Sequence, residues 1–494
     1  MIRKEVNTMT NFIVQFPLKA EIYQEDILDK RFEIGRQIYN SLVKVTQKRY
    51  KEMIKTKEYR NLISQLSENK QKNKAIYKEI SKLRKQYGLT EYSFHKDVKG
   101  MQHHFSDNID SLTAQKIATN LWKAYDKFFY KNGKTVHYKK YGSLNSLEGK
   151  SNKSGIRFKN DTIIWNGLKI PVVINYDNYY EHQAMQADIA YCRIIRKFVR
   201  TKYKYYVQIV FKGNPPTKID TETGEVKHCL GQGDVGIDIG TSTIAYSSVT
   251  DVKILELADK VQNIANQKRR LLRKMDRSRR ATNPNNYNED GTIKNQGSKK
   301  VIWNKSNHYI KYQKELKELN RKQADVRKYQ HECLANHIIS LGDNIYVETM
   351  NFSGLAKKSS KSEKNDKGKF KKKKRFGKSI ANRAPAMLLD IIDRKLSYYG
   401  KRLIKIDTWS AKASQFNHFE GTYNKKALSQ RWNNFNGIKV QRDLYSAFLL
   451  MNIASDLKSF DIEKCNERFE KFYQLHNLEV SRLSRHKNLS SIAI

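Results

Sequence analysis

Two short segments in which apolar residues alternate around an acid constrain the fold of this chain more than any other feature. In Val235-Gly-Ile-Asp-Ile-Gly-Thr and Asn344-Ile-Tyr-Val-Glu-Thr-Met, the apolar positions Val235, Ile237 and Ile239, then Ile345 and Val347, recur at every second residue. Period two is the period of a strand, so Asp238 and Glu348 are expected on the face opposite those apolar side chains. A third acid, Asp443, lies in Val440-Gln-Arg-Asp-Leu-Tyr-Ser-Ala-Phe. Here Val440, Leu444, Phe448 and Met451 recur at helical spacing, which predicts a helix with Asp443 near its start, beside the buried stripe. Gathered in one site, carboxylates repel one another and call for a hard cation between them. Asp238, Glu348 and Asp443 are therefore the candidate metal ligands, for Mg²⁺ with Mn²⁺ as a substitute.

Charge points to the substrate. The 494 residues hold 95 Lys+Arg against 50 Asp+Glu, a formal charge of +45. Self-repulsion of that size opposes a compact state unless a polyanion neutralises it, so nucleic acid is the expected partner. The basic residues are spread along the chain rather than confined to a tail: Lys48 to Lys57, Arg193, Arg196 and Arg200, Lys268 to Arg280, and Lys371 to Arg375. Four cysteines, Cys192, Cys229, Cys333 and Cys465, have no close spacing, which argues against a disulfide framework or a cysteine zinc site and fits a reducing compartment. No apolar run approaches the ~20 residues that cross a bilayer, and the N-terminus lacks a signal-peptide core, so no membrane association is expected.

The length predicts several domains. Residues 1–24 open with a strand, Phe12, Val14 and Phe16 alternating. Over 25–133 the spacing is helical, as in Ile34, Ile38, Leu42 and Val45, and again in Ile117, Leu121, Ala124 and Phe128. From 134 to 231 the period returns to two, with Asn166-Gly167 as a two-residue hairpin turn. This β-rich region, completed by the N-terminal strand, is expected to form a small barrel or sandwich; its Tyr-rich strands suit either a core or base stacking. The acids fall within 232–494, where strands and helices in the observed order predict a mixed α/β sheet of the ribonuclease H type. The fold class is thus multidomain α+β: a β-barrel-like domain with an inserted helical unit, then an α/β domain. Within the latter, Gln267 to Arg280 reads as a basic helix with an apolar seam of Leu271, Leu272 and Met275. Lys268, Arg269, Arg270, Arg273, Lys274, Arg277, Arg279 and Arg280 are its candidate phosphate contacts. Lys357 to Lys378 is too hydrophilic to pack and reads as a loop, either a substrate gate or plain surface.

Gly236-Ile-Asp-Ile-Gly-Thr is also similar to the first phosphate loop of sugar kinases and actin-like ATPases, in which Gly240 and Thr241 would cradle a phosphate. Its mid-chain position after a basic half, and the lack of a second such loop or of a glycine-rich adenosine loop downstream, weigh against that. The order Gly-Ile-Asp-Ile-Gly, a basic helix with Arg/Lys doublets, Val-Glu-Thr-Met-Asn-Phe-Ser-Gly-Leu, then Arg-Asp-Leu-Tyr-Ser-Ala-Phe-Leu resembles the RuvC nuclease domain of TnpB proteins and of the compact single-nuclease type V CRISPR effectors. The resemblance covers about 232 to 455; over the first half it rests on layout alone, a wedge domain with a helical recognition unit. It implies Asp238, Glu348 and Asp443 as catalytic acids, a guide RNA and double-stranded target DNA with a short flanking motif as partners, and a bacterial or archaeal cytosol.

The chain departs from that family in one respect. TnpB proteins commonly carry a four-cysteine zinc ribbon before the last acid, where this sequence has Ala413-Ser-Gln-Phe-Asn-His-Phe-Glu-Gly. His418 alone makes no tetrahedral site, so no structural zinc is expected, and 411–435 reads as a degenerate insert in which Lys425, Arg431 and Trp432 are left to touch substrate. Two other functions fit the same fold: a guided repressor that has lost cleavage, whose signature would be a missing acid, and an RNA-independent transposase or resolvase.

Overall fold

The computed structural model describes residues 10–485 except 68–72, 131–132, 296, 298–300, 358–375 and 428–429, and it divides into two compact units, Met1–Pro216 and Thr217–Ile494. The first unit runs β1 (Asn11–Pro17), α1 (Ile22–Lys55), α2 (Lys57–Ser64), α3 (Asn73–Gln86), α4 (Glu91–His104), α5 (Ser111–Tyr130), β2 (Ser146–Glu148), β3 (Arg157–Lys159), β4 (Thr162–Trp165), β5 (Leu168–Pro171), α6 (Tyr179–Met185), β6 (Ile189–Val199) and β7 (Lys202–Lys212). The N-terminal strand does join the later strands. It pairs antiparallel with β7, Phe16 opposite Val207, in the order β1-β7-β6-β2. Asn166 and Gly167 both take positive φ, 41° and 76°, as their hairpin requires. Arg31 of α1 clamps that turn, donating to the carbonyls of Trp165 and Asn166 at 2.7 Å each.

The expected barrel is not closed. Strands β3-β4-β5 form a separate three-stranded sheet, and among the described residues only the isolated bridge Leu18–Val172 links the ends of β1 and β5. The inner face of the larger sheet is filled by helices instead: Phe12, Phe16, Val207 and Ile209 share one core with Leu28, Phe32, Leu42 and Leu121. A sheet whose apolar face is covered this way has no need to roll onto itself.

The second unit runs β8 (Asp234–Ile239), β9 (Thr243–Ser247), β10 (Val252–Glu256), α7 (Val261–Thr282), α8 (Asn307–Leu341), β11 (Asn344–Glu348), α9 (Phe352–Ala356), α10 (Gly377–Arg383), α11 (Pro385–Ser397), β12 (Ile404–Ile406), α12 (Thr408–Ala411), β13 (Phe416–Asn417), β14 (Thr422–Tyr423), β15 (Trp432–Phe435), β16 (Ile438–Gln441), α13 (Arg442–Met451) and α14 (Ile462–Ser484). Its main sheet has the order β10-β9-β8-β11-β12. β8, β9 and β10 are antiparallel neighbours, whereas β8, β11 and β12 run parallel. Helices cover both faces. Val235, Ile237, Ile345 and Val347 pack with Ile338 of α8 and Leu388 and Ile392 of α11, while α13 and α14 lie in the core of the other face.

Helix α13 differs from the expected stripe. Every residue from Leu444 to Met451 is buried, because the sheet lies on one side and aromatic residues of α14 on the other, with Phe448 and Phe472 stacked at 4.4 Å. The loop expected at 357–378 falls largely on 358–375, outside the described residues. No helix among the described residues is long and apolar enough to cross a membrane.

Candidate active site and basic surface

Strand alternation turns Val235, Ile237 and Ile239 toward α8 and α11, and so turns Gly236 and Asp238 toward α13. Gly236 lets the helix come close. A Cβ there would run into the Ala447 carbonyl oxygen and the Met451 amide, so only glycine admits this helix against this strand. Ala447 is one helical turn beyond Asp443, and Asp238 is the next residue on the Gly236 face, so the contact that seats the helix also brings the two acids together. β11 lies parallel beside β8, with Val347 opposite Ile237, which sets Glu348 at the level of Asp238.

The electrostatics follow from that register. The Asp238 carboxyl is pushed well above the usual range, first by burial, then by Asp443 and Glu348, while Arg442 and Arg431 pull the other way. Glu348 is also raised, by burial and by Asp407 at the end of β12, against the Ala413 N–H that donates to its Oε1 at 3.1 Å. Asp443 is held differently. Arg431 Nη1 lies 3.4 Å from its Oδ2 and Arg442 Nε 3.3 Å from its Oδ1. Asp238 thus stands between the other two acids, and two guanidinium groups meet the cluster from the Asp443 side.

The donor set suits a hard divalent cation, since an ion among three acids would remove the repulsion that favours a protonated Asp238. As they stand, no three His, Cys, Asp or Glu side chains among the described residues are converged enough to hold a metal. With its oxygens paired to Arg431 and Arg442, Asp443 would have to exchange those partners for the ion. Of the residues at this site, Asp407 carries no sequence signal of its own, and Arg442 opens the Arg-Asp-Leu-Tyr motif without being marked there as a partner of Asp443.

The basic helix α7 is built as expected. Val261, Ile264, Leu271 and Met275 are buried, and Leu272, expected in the seam, is exposed. With roughly 100° between residues, Arg269, Arg270, Arg273 and Arg277 fall on the opposite side. These four are exposed and have no acid partner among the described residues. The other candidates are engaged. Lys268 Nζ donates to Gln323 at 2.7 Å, Lys274 lies 5.9 Å from the Tyr312 ring, and Arg279 and Arg280 pair with Asp276 while facing the Trp303 and Tyr287 rings. The first unit has a basic surface of its own. Lys116, Asn120, Lys123 and Lys127, on one face of α5, line a cleft of about 480 Å³ with Lys139. Burial lowers the Lys139 pKa, and its ammonium lies 4.8 Å from the Tyr39 ring.

In the insert before Asp443, the buried His418 accepts the Tyr445 hydroxyl or donates to it at 2.6 Å, and its ring meets Phe419 and Phe469 at 4.0 and 5.0 Å. Burial lowers its pKa to about 4.

Fold and site together define an α/β sheet with acids at the ends of adjacent parallel strands and a third acid on a helix pressed against them. No family model and no curated protein matches the chain. Among solved structures it is similar to a Cas12f1–sgRNA–target DNA complex, with 11% identity over 90% of this chain and 99% of that one and a TM-score of 0.43. A CRISPR-Cas12f ternary complex gives 13% identity, 87% and 82% coverage and a TM-score of 0.25. The mini-RNA-guided endonuclease CRISPR-Cas_phi3 gives 10% identity, 91% and 92% coverage and a TM-score of 0.30.

Proposed function

We propose that this protein is an RNA-guided DNA endonuclease of the TnpB and compact type V kind, cutting target DNA beside a short flanking motif at a RuvC-like centre. The observation that carries the reading is Asp238, partly buried and set between Asp443 and Glu348 on the one sheet face where Gly236 admits a helix. Holding three carboxylates there is costly, and metal-dependent phosphoryl chemistry accounts for the expense. The strand order, three antiparallel strands continued by two parallel ones, is that of a ribonuclease H-like sheet, which supports assigning 232–494 to the nuclease domain. Residues 1–24 and 134–231 are then the wedge, with 25–133 as the recognition helices inserted in it.

Asp238, Glu348 and Asp443 would hold Mg²⁺ or Mn²⁺, which when bound supplies Lewis-acid polarisation of the phosphate and a more acidic water. Arg431 and Arg442, released from Asp443, lie where they can offset charge on the phosphodiester. Arg269, Arg270, Arg273 and Arg277 are the phosphate contacts of α7, and the α5 cleft adds a second basic surface in the first unit. In the insert, His418 is packed against the Phe419 and Phe469 rings and hydrogen-bonded to Tyr445. Guide RNA and double-stranded DNA are the partners that the motif order implies, with base pairing reading most of the target. In Asp238→Ala, cleavage of a matching target should vanish while RNA binding is kept; undiminished cutting would remove the site assignment.

A further inference from the structure

We infer that His476, on α14, is a positioning residue for Asp443. This rests on the proposed role of Asp443. The Gln441 N–H donates to His476 Nε2 at 2.9 Å, and both residues are almost fully buried, at 0% and 1% exposure. Because that nitrogen accepts, the imidazole proton sits on Nδ1, from where it donates to the Asn477 side-chain oxygen at 3.0 Å. Gln441 is the N-cap of α13, and its Oε1 accepts the Leu444 N–H at 2.8 Å. Asp443 lies between the capped residue and the capped amide. The amides at a helix start have no acceptor within the helix, and this one is shut away from water, so without His476 the Gln441 N–H would be a buried donor with no partner.

Helix α13 is therefore held at two points. The Gly236 contact fixes it against the sheet at Ala447 and Met451, and His476 fixes the turn that precedes Asp443. The second point sets where the carboxylate stands relative to Asp238, as an outer partner orients a metal ligand. Simple packing is the competing explanation for His476, since its ring stacks on Tyr473 at 5.7 Å and meets Phe472 at 5.8 Å and Trp432 at 6.2 Å.

Two substitutions separate these roles. His476→Phe keeps a ring and removes the acceptor; His476→Gln removes the ring and puts an amide oxygen near the place of Nε2. Mn²⁺ affinity of the guide-loaded protein, by calorimetry, and the Mg²⁺ dependence of cleavage are measured for both beside the wild type and Asp443→Ala, well below each melting temperature. His476→Phe should lose about 10–100-fold in metal affinity, with guide binding intact, whereas His476→Gln should stay close to the wild type. The inference is overturned if Phe matches the wild type or if Gln loses as much as Phe. Should Asp443→Ala itself bind metal and cut like the wild type, the reading of the site fails instead.

Discussion

The carboxylate centre and the outer face of α7 use charge in opposite ways. At the centre, packing holds like charges together: Gly236 lets α13 against the sheet, and Asp238 meets Asp443 and Glu348 in a place where burial already opposes ionisation. On α7, Arg269, Arg270, Arg273 and Arg277 are turned away from the core and left without acid partners among the described residues, while Arg279 and Arg280 are bound to Asp276. The first arrangement costs stability until a cation arrives. The second costs little and leaves four guanidinium groups ready for phosphate. A region that must place atoms for chemistry is built by burial, and one that needs only affinity is built by exposure.

Breaking the buried side should give the largest effects. Asp238→Asn should reduce cleavage to background yet raise the melting temperature in EDTA at pH 7, because it removes a charge that the fold resists. The sign follows from linkage. A carboxyl whose folded pKa is raised binds its proton more tightly when folded, so without metal its contribution falls as pH rises from the unfolded value near 3.9 toward the folded one. A wild-type melting temperature equal to that of the variant at pH 7 would show that the acid is not strained. Gly236→Ala should come next. It forces a methyl into the Ala447 carbonyl and should destabilise the unit by about 1–3 kcal/mol or more, measured by denaturant unfolding, with cleavage falling in parallel.

The exposed side should respond in affinity alone. Replacing Arg269, Arg270, Arg273 and Arg277 together by Gln should leave thermal stability unchanged and weaken nucleic-acid binding, with a shallower dependence on salt, by about 0.7–0.9 in log–log slope for each arginine that sits on a phosphate. An unchanged slope would take α7 out of the binding surface. The effect smallest at neutral pH belongs to His418. It is buried with a pKa lowered to about 4, so the unfolded chain takes up its proton first as the pH falls. Stability should therefore decline from about pH 6.5 toward 4, and His418→Phe should flatten that decline in melting curves.

The strands that carry the acids were legible because alternation is local: Val235, Ile237 and Ile239 reveal their face without knowledge of any partner. The helix of Asp443 was legible in outline from its stripe, and its burial on all sides is signalled only by the nearly continuous apolar and small residues from Leu444 to Met451. Gly236 was readable in principle, since a glycine inside a strand often marks the close approach of another backbone. Closure of the first-unit strands was beyond alternation, which identifies strands but not what covers their inner face; α1 does so here. Asp407 and His476 matter through partners brought near by tertiary packing, and no spacing in the sequence announces them, whereas Arg442 meets the Asp443 beside it in the chain.

Guided, metal-dependent cutting is tested most directly by purifying the protein from cells that carry its native flanking DNA, sequencing the RNA that copurifies, and assaying a matching DNA target with Mg²⁺ or EDTA. A discrete RNA is expected, with guide-dependent cutting that requires the metal and is lost in Asp238→Ala. Cutting with no RNA bound, or a bound RNA with no cutting under any divalent metal, would contradict it.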